Sequence, residues 1–272
     1  MQRPYCVEVR FSPVDVLTPR SLDEALALKA EQPEAVPIQG GTDVMVELNF
    51  DRGRPAALLN LNEVSELRGA SRENGTLRLG SGLTYTEAMR LPEPVAALAE
   101  ASRTVGGPQI RNRGTIGGNL GTASPAGDAL PPLLVYGATV ELASTRGERS
   151  VPLTDFLVGP KRNTLEPDEL IVAVRFDAPG RRQTFMKVGP RNAMVIAVVS
   201  LALVVEGDEV RASFGSAGPV PGLVRAPLDE RDSFPDRVAE VASPIDDVRG
   251  TARYRRHALR VLTERALERC LA

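Results

Sequence analysis

Two glycine pairs carry the most specific chemistry in this 272-residue sequence. The first lies in Pro37-Ile38-Gln39-Gly40-Gly41-Thr42-Asp43 and runs on into Val44. The second lies in Thr115-Ile116-Gly117-Gly118-Asn119, with Ser124-Pro125-Ala126-Gly127-Asp128 just beyond it. A pyrophosphate is held by backbone N–H groups brought close to its oxygens, and glycine removes the Cβ that would stand in the way. Thr42, Thr115 and Asn119 add side-chain donors. Ionised Asp128 only accepts, so it suits a ribose or ribityl hydroxyl rather than a phosphate. Either pair alone also reads as a tight turn, and neither fits the GxGxxG or GxxxxGK[ST] pattern. A Rossmann site and a P-loop are therefore both weak readings.

The remaining reactive side chains exclude several classes. His257 is the one histidine, and Cys6 and Cys270 are the two cysteines, near opposite ends of the chain. Iron–sulfur clusters and structural zinc usually need four such ligands. No GxSxG accompanies His257, and no pair of carboxylates is singled out for hydrolysis. Redox chemistry here would need an organic cofactor. Lys plus Arg is 33 and Asp plus Glu is 35, a balance that argues against a broad nucleic-acid surface. The opening residues lack the apolar core of a signal peptide, and no window reaches 18 uninterrupted apolar residues. The expected location is the cytoplasm, with no membrane span.

Elements must position these loops. Ser21 and Glu24, and Thr84 and Glu87, read as capping boxes that open helices; the second helix is expected to stop near Pro92. Val36–Ile38, Ala57–Leu61, Leu77–Leu79 and Thr139–Leu142 read as short strands, and Val95–Val105 as a helix. From Gly106 to Pro132 the glycines are dense enough to break regular structure. Beyond Gly159 to Asp168, Leu170–Phe176, Phe185–Val188 and Val210–Phe214 read as strands. Val195–Val205 is almost wholly apolar, and its periodicity does not separate a buried strand from a helix. Ala252–Leu271 reads as an amphipathic helix. The class is α+β in at least two units.

Taken together, PIQGGTDVMVELNF, GPQIRNRGTIGGNLGTASPAGDALPPLLVYGATVEL and the ending DVRGTARYRRHALRVLTERAL resemble the FAD-binding subunits of the molybdenum hydroxylases. Carbon monoxide dehydrogenase medium subunits and the flavin segment of xanthine dehydrogenase are of that kind. The resemblance covers the chain from about Val7 to Leu267. It implies a two-lobed FAD-binding domain (residues 1–163, lobes 1–58 and 59–163) followed by a smaller α+β C-terminal domain (164–272). It also implies that residues 37–44 and 115–119 wrap the FAD pyrophosphate and that Asp128 holds a sugar hydroxyl. Val172 and Lys187 would approach the flavin from the C-terminal domain. Implied partners are a small subunit with two [2Fe–2S] clusters and a large molybdopterin subunit, assembled as a dimer of heterotrimers. The chain would pass electrons from the clusters to an external acceptor. Where relatives often read Ala-Met-Asp-Ile-Ala, this chain has Val195 in place of the aspartate.

Plainer readings stand beside these. Lys187 on a short strand reads as a solvated edge charge. His257 reads as a surface helix residue, and Arg253, Arg255, Arg256 and Arg260 as a solvated or subunit-facing side. Tyr5, Tyr85, Tyr136 and Tyr254 are too dispersed for one to be nominated as a flavin stacker. A self-contained flavin oxidase and a non-redox nucleotide-binding module use the same loops and remain the alternatives.

Overall fold

The structure, a computed structural model, describes residues 14–91, 95–177 and 180–272. Tyr5, Cys6 and the expected helix end at Pro92 lie outside the described residues. The first lobe runs β1 (Asp15–Leu17), α1 (Leu22–Glu31), β2 (Val36–Ile38), α2 (Val44–Asn49) and β3 (Ala57–Asn60), with a parallel sheet in the order β1-β3-β2. Ser21 caps α1 by accepting from the Glu24 amide at 3.2 Å. The Glu24 carboxylate reaches one residue further back than a capping box requires and accepts from Arg20 N at 2.7 Å. Leu26, Leu59, Leu61 and Leu67 form the core of this lobe, closed by Leu170 and Val172 from far along the chain.

The second lobe contains β4 (Ala70–Glu73), β5 (Thr76–Gly80), α3 (Tyr85–Ala88), α4 (Ala96–Thr104), α5 (Pro108–Arg111), α6 (Ile116–Thr122) and α7 (Leu130–Val135). It continues with β6 (Thr139–Ser144), β7 (Gly147–Pro152), α8 (Leu153–Phe156), β8 (Leu157–Gly159), β9 (Arg162–Asn163) and β10 (Leu170–Asp177). Its sheet has the order β4-β5-β10-β6-β7. Strand β10 thus lies at the centre, with Val174 opposite Leu79 on one side and Val140 on the other. A division after residue 163 separates β10 from the rest of this sheet, and one after 58 falls inside β3. The chain leaves the second sheet only after Asp177.

The last unit is a meander, β11 (Gln183–Val188), β12 (Val199–Glu206), β13 (Glu209–Gly215) and β14 (Gly222–Pro227), followed by α9 (Phe234–Val241) and α10 (Ala252–Leu271). Strand β12 explains the unpatterned run from Val195. Val199, Leu201, Leu203 and Val205 pack toward α9 and α10, while Ala202 and Val204 pack into the second-lobe core. A strand buried on both faces shows no polar alternation. Helix α10 has the expected bounds, with Thr251 accepting from Tyr254 N at its start. Its arginines do not share one solvated side, however. Arg255 is 2% exposed and donates to the carbonyls of Val198 and Ser216 and to Asp247. His257 is exposed. No helix among the described residues is long and apolar enough to cross a membrane.

Candidate functional site

The first glycine loop leaves the carboxyl end of parallel strand β2 and turns into α2, a position where open α/β sheets commonly receive ligands. The second leads from α5 into α6. They meet backbone to backbone: a Cβ on Gly40 would stand 2.2 Å from the carbonyl oxygen of Arg113. Arg113 Nη2 donates to the Gln39 carbonyl at 3.0 Å, and the Thr122 hydroxyl donates to Asp43 Oδ2 at 2.7 Å. An antiparallel bridge between Thr84 and Thr115 ties the start of α3 to the same junction. Between the loops opens a cleft of about 770 Å³.

Accounting for backbone donors separates the two loops. Among the described residues, the N–H groups of Gly40, Gly41, Thr42, Asp43 and Val44 have no acceptor. The first turn of α6 has none to spare. Ile116 N donates to the Leu83 carbonyl, Gly117 N to the Ser81 carbonyl at 2.7 Å, Gly118 N to Thr115 Oγ1 at 3.0 Å and Asn119 N to the Thr115 carbonyl. The dense glycines there do not break regular structure, as the sequence led us to expect; they continue a helix whose first turn is satisfied. Gly117 is needed for packing, since a Cβ would lie 2.5 Å from Ser81 Cβ and 2.7 Å from its carbonyl oxygen. At Gly118 a Cβ would meet only Thr115 Oγ1, at 3.1 Å. Thr115→Ala removes the cap on Gly118 N and is expected to cost about 1 kcal/mol, read as a lower urea midpoint. An unchanged midpoint would show that another group caps this helix.

All the residues expected at the site line the cleft except Ile116, Val172 and Lys187. Ile116 is fully buried in the second-lobe core. Val172 packs into the first-lobe core, and its carbonyl accepts from Ser81 N at 2.9 Å. Lys187 lies behind Asp128: its side chain is 5% exposed, and Nζ stands 2.6 Å from Asp128 Oδ2 and 3.2 Å from the Thr104 carbonyl. It is not the solvated edge charge that strand usage implied. Burial pushes the Asp128 carboxyl above its ordinary pKa, and the neighbouring Lys187 charge opposes that shift. Asp128 Oδ1 and Asn119 Oδ1 are buried without a partner among the described residues.

Other lining residues were not nominated for the site from the sequence. Val105, Ile110, Ile171, Val195 and Ile196 give the cleft apolar walls, and Tyr85 lines it beside Gly114 and Asp128. The apolar ones carry no motif. Tyr85 follows a capping threonine, which marks a helix start and nothing more. Glu169 also lines the cleft, but Arg149 holds it in a two-pronged pair at 2.6 and 2.7 Å. Those bonds keep its carboxyl below the usual range.

Comparison with known proteins follows the same outline. Residues 10–178 match the family described as the FAD binding domain in molybdopterin dehydrogenase. The chain is 31% identical to a xanthine dehydrogenase FAD-binding subunit of Escherichia coli, over 93% of this chain and 94% of that protein. It is 36% identical to the nicotinate dehydrogenase FAD-subunit of Eubacterium barkeri, over 72% and 69%. Among solved structures, quinoline 2-oxidoreductase from Pseudomonas putida superposes with a TM-score of 0.86 at 27% identity, covering 96% of this chain and 98% of that one. Carbon monoxide dehydrogenase from Hydrogenophaga pseudoflava gives 0.87 at 24% identity, covering 96% and 98%, a likeness of fold.

Proposed function

Because this chain belongs to the FAD-binding family of the molybdopterin dehydrogenases, we propose that it takes electrons from iron–sulfur clusters on a partner subunit and delivers them to an external acceptor. The observation that carries the site assignment is the row of five unpaired N–H groups from Gly40 to Val44, set across a cleft from the Cβ-free surface of Gly118. Consecutive backbone donors form an anion-binding concavity, and a dinucleotide pyrophosphate needs both the donors and the room. The residues therefore fit FAD. When bound, the flavin supplies the redox chemistry.

The chain's own groups would bind and orient it. Gly40 to Val44 hold the phosphates, with Thr42 adding a hydroxyl. Asp128 Oδ1 and Asn119 Oδ1, buried and without partners among the described residues, accept hydrogen bonds from sugar hydroxyls. Lys187 fixes Asp128 through Oδ2, so that only one of its oxygens is left to the ligand. Val105, Ile110, Ile171, Val195 and Ile196 exclude water from flat ring systems. Val172 acts through its carbonyl, which fixes Ser81 and so the floor under Gly117.

Partnership is supported by the donor inventory and by the surface. No group of three or more His, Cys, Asp or Glu among the described residues is placed to hold a metal ion. The clusters and molybdenum would then sit on a small iron–sulfur subunit and a large molybdopterin subunit, in a cytoplasmic dimer of such trios. Ile245 and Val248 stand exposed on the turn between α9 and α10, flanked by Val241 and Tyr254. Exposed apolar side chains gathered in this way mark docking surfaces. Gel filtration of the natively expressed protein tests the proposal, with absorbance near ~450 nm (a property of the oxidised flavin ring), iron and molybdenum followed across the peak. We expect all three to co-elute. A metal-free flavoprotein that oxidises an organic substrate alone would favour the self-contained oxidase, and a colourless nucleotide-binding protein the regulatory module.

A further inference from the structure

Among the described residues Tyr85 is the one tyrosine in the cleft wall, and it is 6% exposed. Its hydroxyl has no hydrogen-bond partner among the described residues. Tyr136, also buried, shows the usual arrangement: its hydroxyl donates to Gln183 Oε1 and accepts from Leu98 N. The Tyr85 ring is buried but its hydroxyl is not sealed in the protein, so a partner for it must come from the cleft that the residue lines. Tyr85 is also held firmly. Its amide donates to the Gly114 carbonyl at 3.0 Å, and Thr84 and Glu87 form a complete capping box around the start of its helix. The ring lies against Gly114, where a Cβ would come within 3.1 Å of two ring carbons. The glycine loop is shaped around this side chain. Burial, with the nearby charges of Asp128 and Asp43, pushes the phenol pKa up, so the group is a neutral donor at any working pH.

We infer that Tyr85 is a cofactor-binding residue, whose hydroxyl donates a hydrogen bond to an oxygen of the sugar–phosphate chain of a dinucleotide seated in the cleft. The inference rests on the FAD reading above. It complements Asp128, whose free Oδ1 accepts where Tyr85 donates. A vicinal hydroxyl pair or a phosphate oxygen presents the acceptor that Tyr85 lacks in the protein alone. Sugar hydroxyls both donate and accept, so one ribose can engage the two residues together.

The test is Tyr85→Phe, which keeps the ring and its packing on Gly114. FAD and ADP are titrated into the apoprotein by calorimetry, and the melting temperature of the apoprotein is recorded beside them. Loss of one neutral hydrogen bond should weaken FAD and ADP binding about three- to ten-fold. The apoprotein should keep its melting temperature, because the hydroxyl bonds to no group of the protein among the described residues. Loss of a structural hydroxyl would lower it. Unchanged affinity for both ligands, or a drop in apoprotein melting, overturns the inference. If the wild-type chain binds neither FAD nor ADP, the functional reading falls instead, and the two failures are told apart in one experiment.

Discussion

Lys187→Met is expected to destabilise the fold by about 3–5 kcal/mol at neutral pH, the usual penalty for leaving one member of a buried ion pair alone. Lys187 and Asp128 are 5% and 8% exposed at their side chains and 2.6 Å apart. Methionine keeps the aliphatic length but offers Asp128 no charge. The carboxyl would then be pushed further above the ordinary value of 3.8, in the direction burial already drives it. The sign follows from proton binding. A carboxyl whose folded pKa is raised binds protons more tightly in the native state, so the penalty is absent below the ordinary pKa and grows as pH rises through the folded one. The gap between variant and wild type should therefore narrow as pH is lowered toward 3.8. Urea denaturation at neutral and mildly acidic pH measures both effects. A second change, Asp128→Asn, should recover much of the loss at neutral pH, since it removes the stranded charge. Equal deficits at both pH values would mean that packing of the lysine stem, not the charge, is what the site needs.

The same pair marks the limit of what the residues disclose before folding. Lys187 occupies an alternating strand segment in which a lysine ordinarily faces water, and only the tertiary packing of β11 against α4 and Asp128 reverses that. Arg255 misleads for a similar reason. Its neighbours Arg253 and Arg256 are exposed, and the carbonyls that receive Arg255, at Val198 and Ser216, are about forty or more residues away in the chain. Local signals fared better. Ser21 and Thr84 each cap a helix through bonds made within a few residues, so their meaning survives folding. Gly159 to Asp168 looks like a linker in composition, yet β10 just beyond it sits in the middle of the second-lobe sheet. Its partners, β5 and β6, lie upstream, and hydrogen-bonded pairing over such distances leaves no trace in composition. Within the protein the glycine pairs mark close packing, of Gly40 on Arg113 and of Gly117 on Ser81. Which glycine meets protein and which faces the cleft depends on Ser81 and Arg113, and no spacing rule contains them.

That distinction gives the sharpest contrast available at the site. Gly117 and Gly118 are adjacent, sit in the first turn of the same helix, and should fail in opposite ways. At Gly117 even a methyl group would lie 2.5 Å from Ser81 Cβ and 2.7 Å from its carbonyl oxygen, so α6 and the end of β5 must part. Overpacking of this kind costs about 1–3 kcal/mol, and it also strains the bond from Gly117 N to the Ser81 carbonyl. Gly117→Ala is expected to lower the urea midpoint whether or not flavin is present. At Gly118 the added group meets only a hydroxyl at 3.1 Å, a side-chain atom that can give way by a few tenths of an ångström. Gly118→Val should fold with a midpoint near that of the wild-type apoprotein. Its branched side chain would instead project where the first glycine loop presents five N–H groups to a pyrophosphate, displacing the phosphates from those donors. Each lost charge-assisted bond is worth about 1.5–3 kcal/mol, so losing even two lowers FAD affinity by roughly 100-fold or more. The variant should purify colourless and stay so after incubation with micromolar FAD. Full flavin content in Gly118→Val would move the pyrophosphate away from this helix and leave the Gly40 to Val44 donors to some other anion.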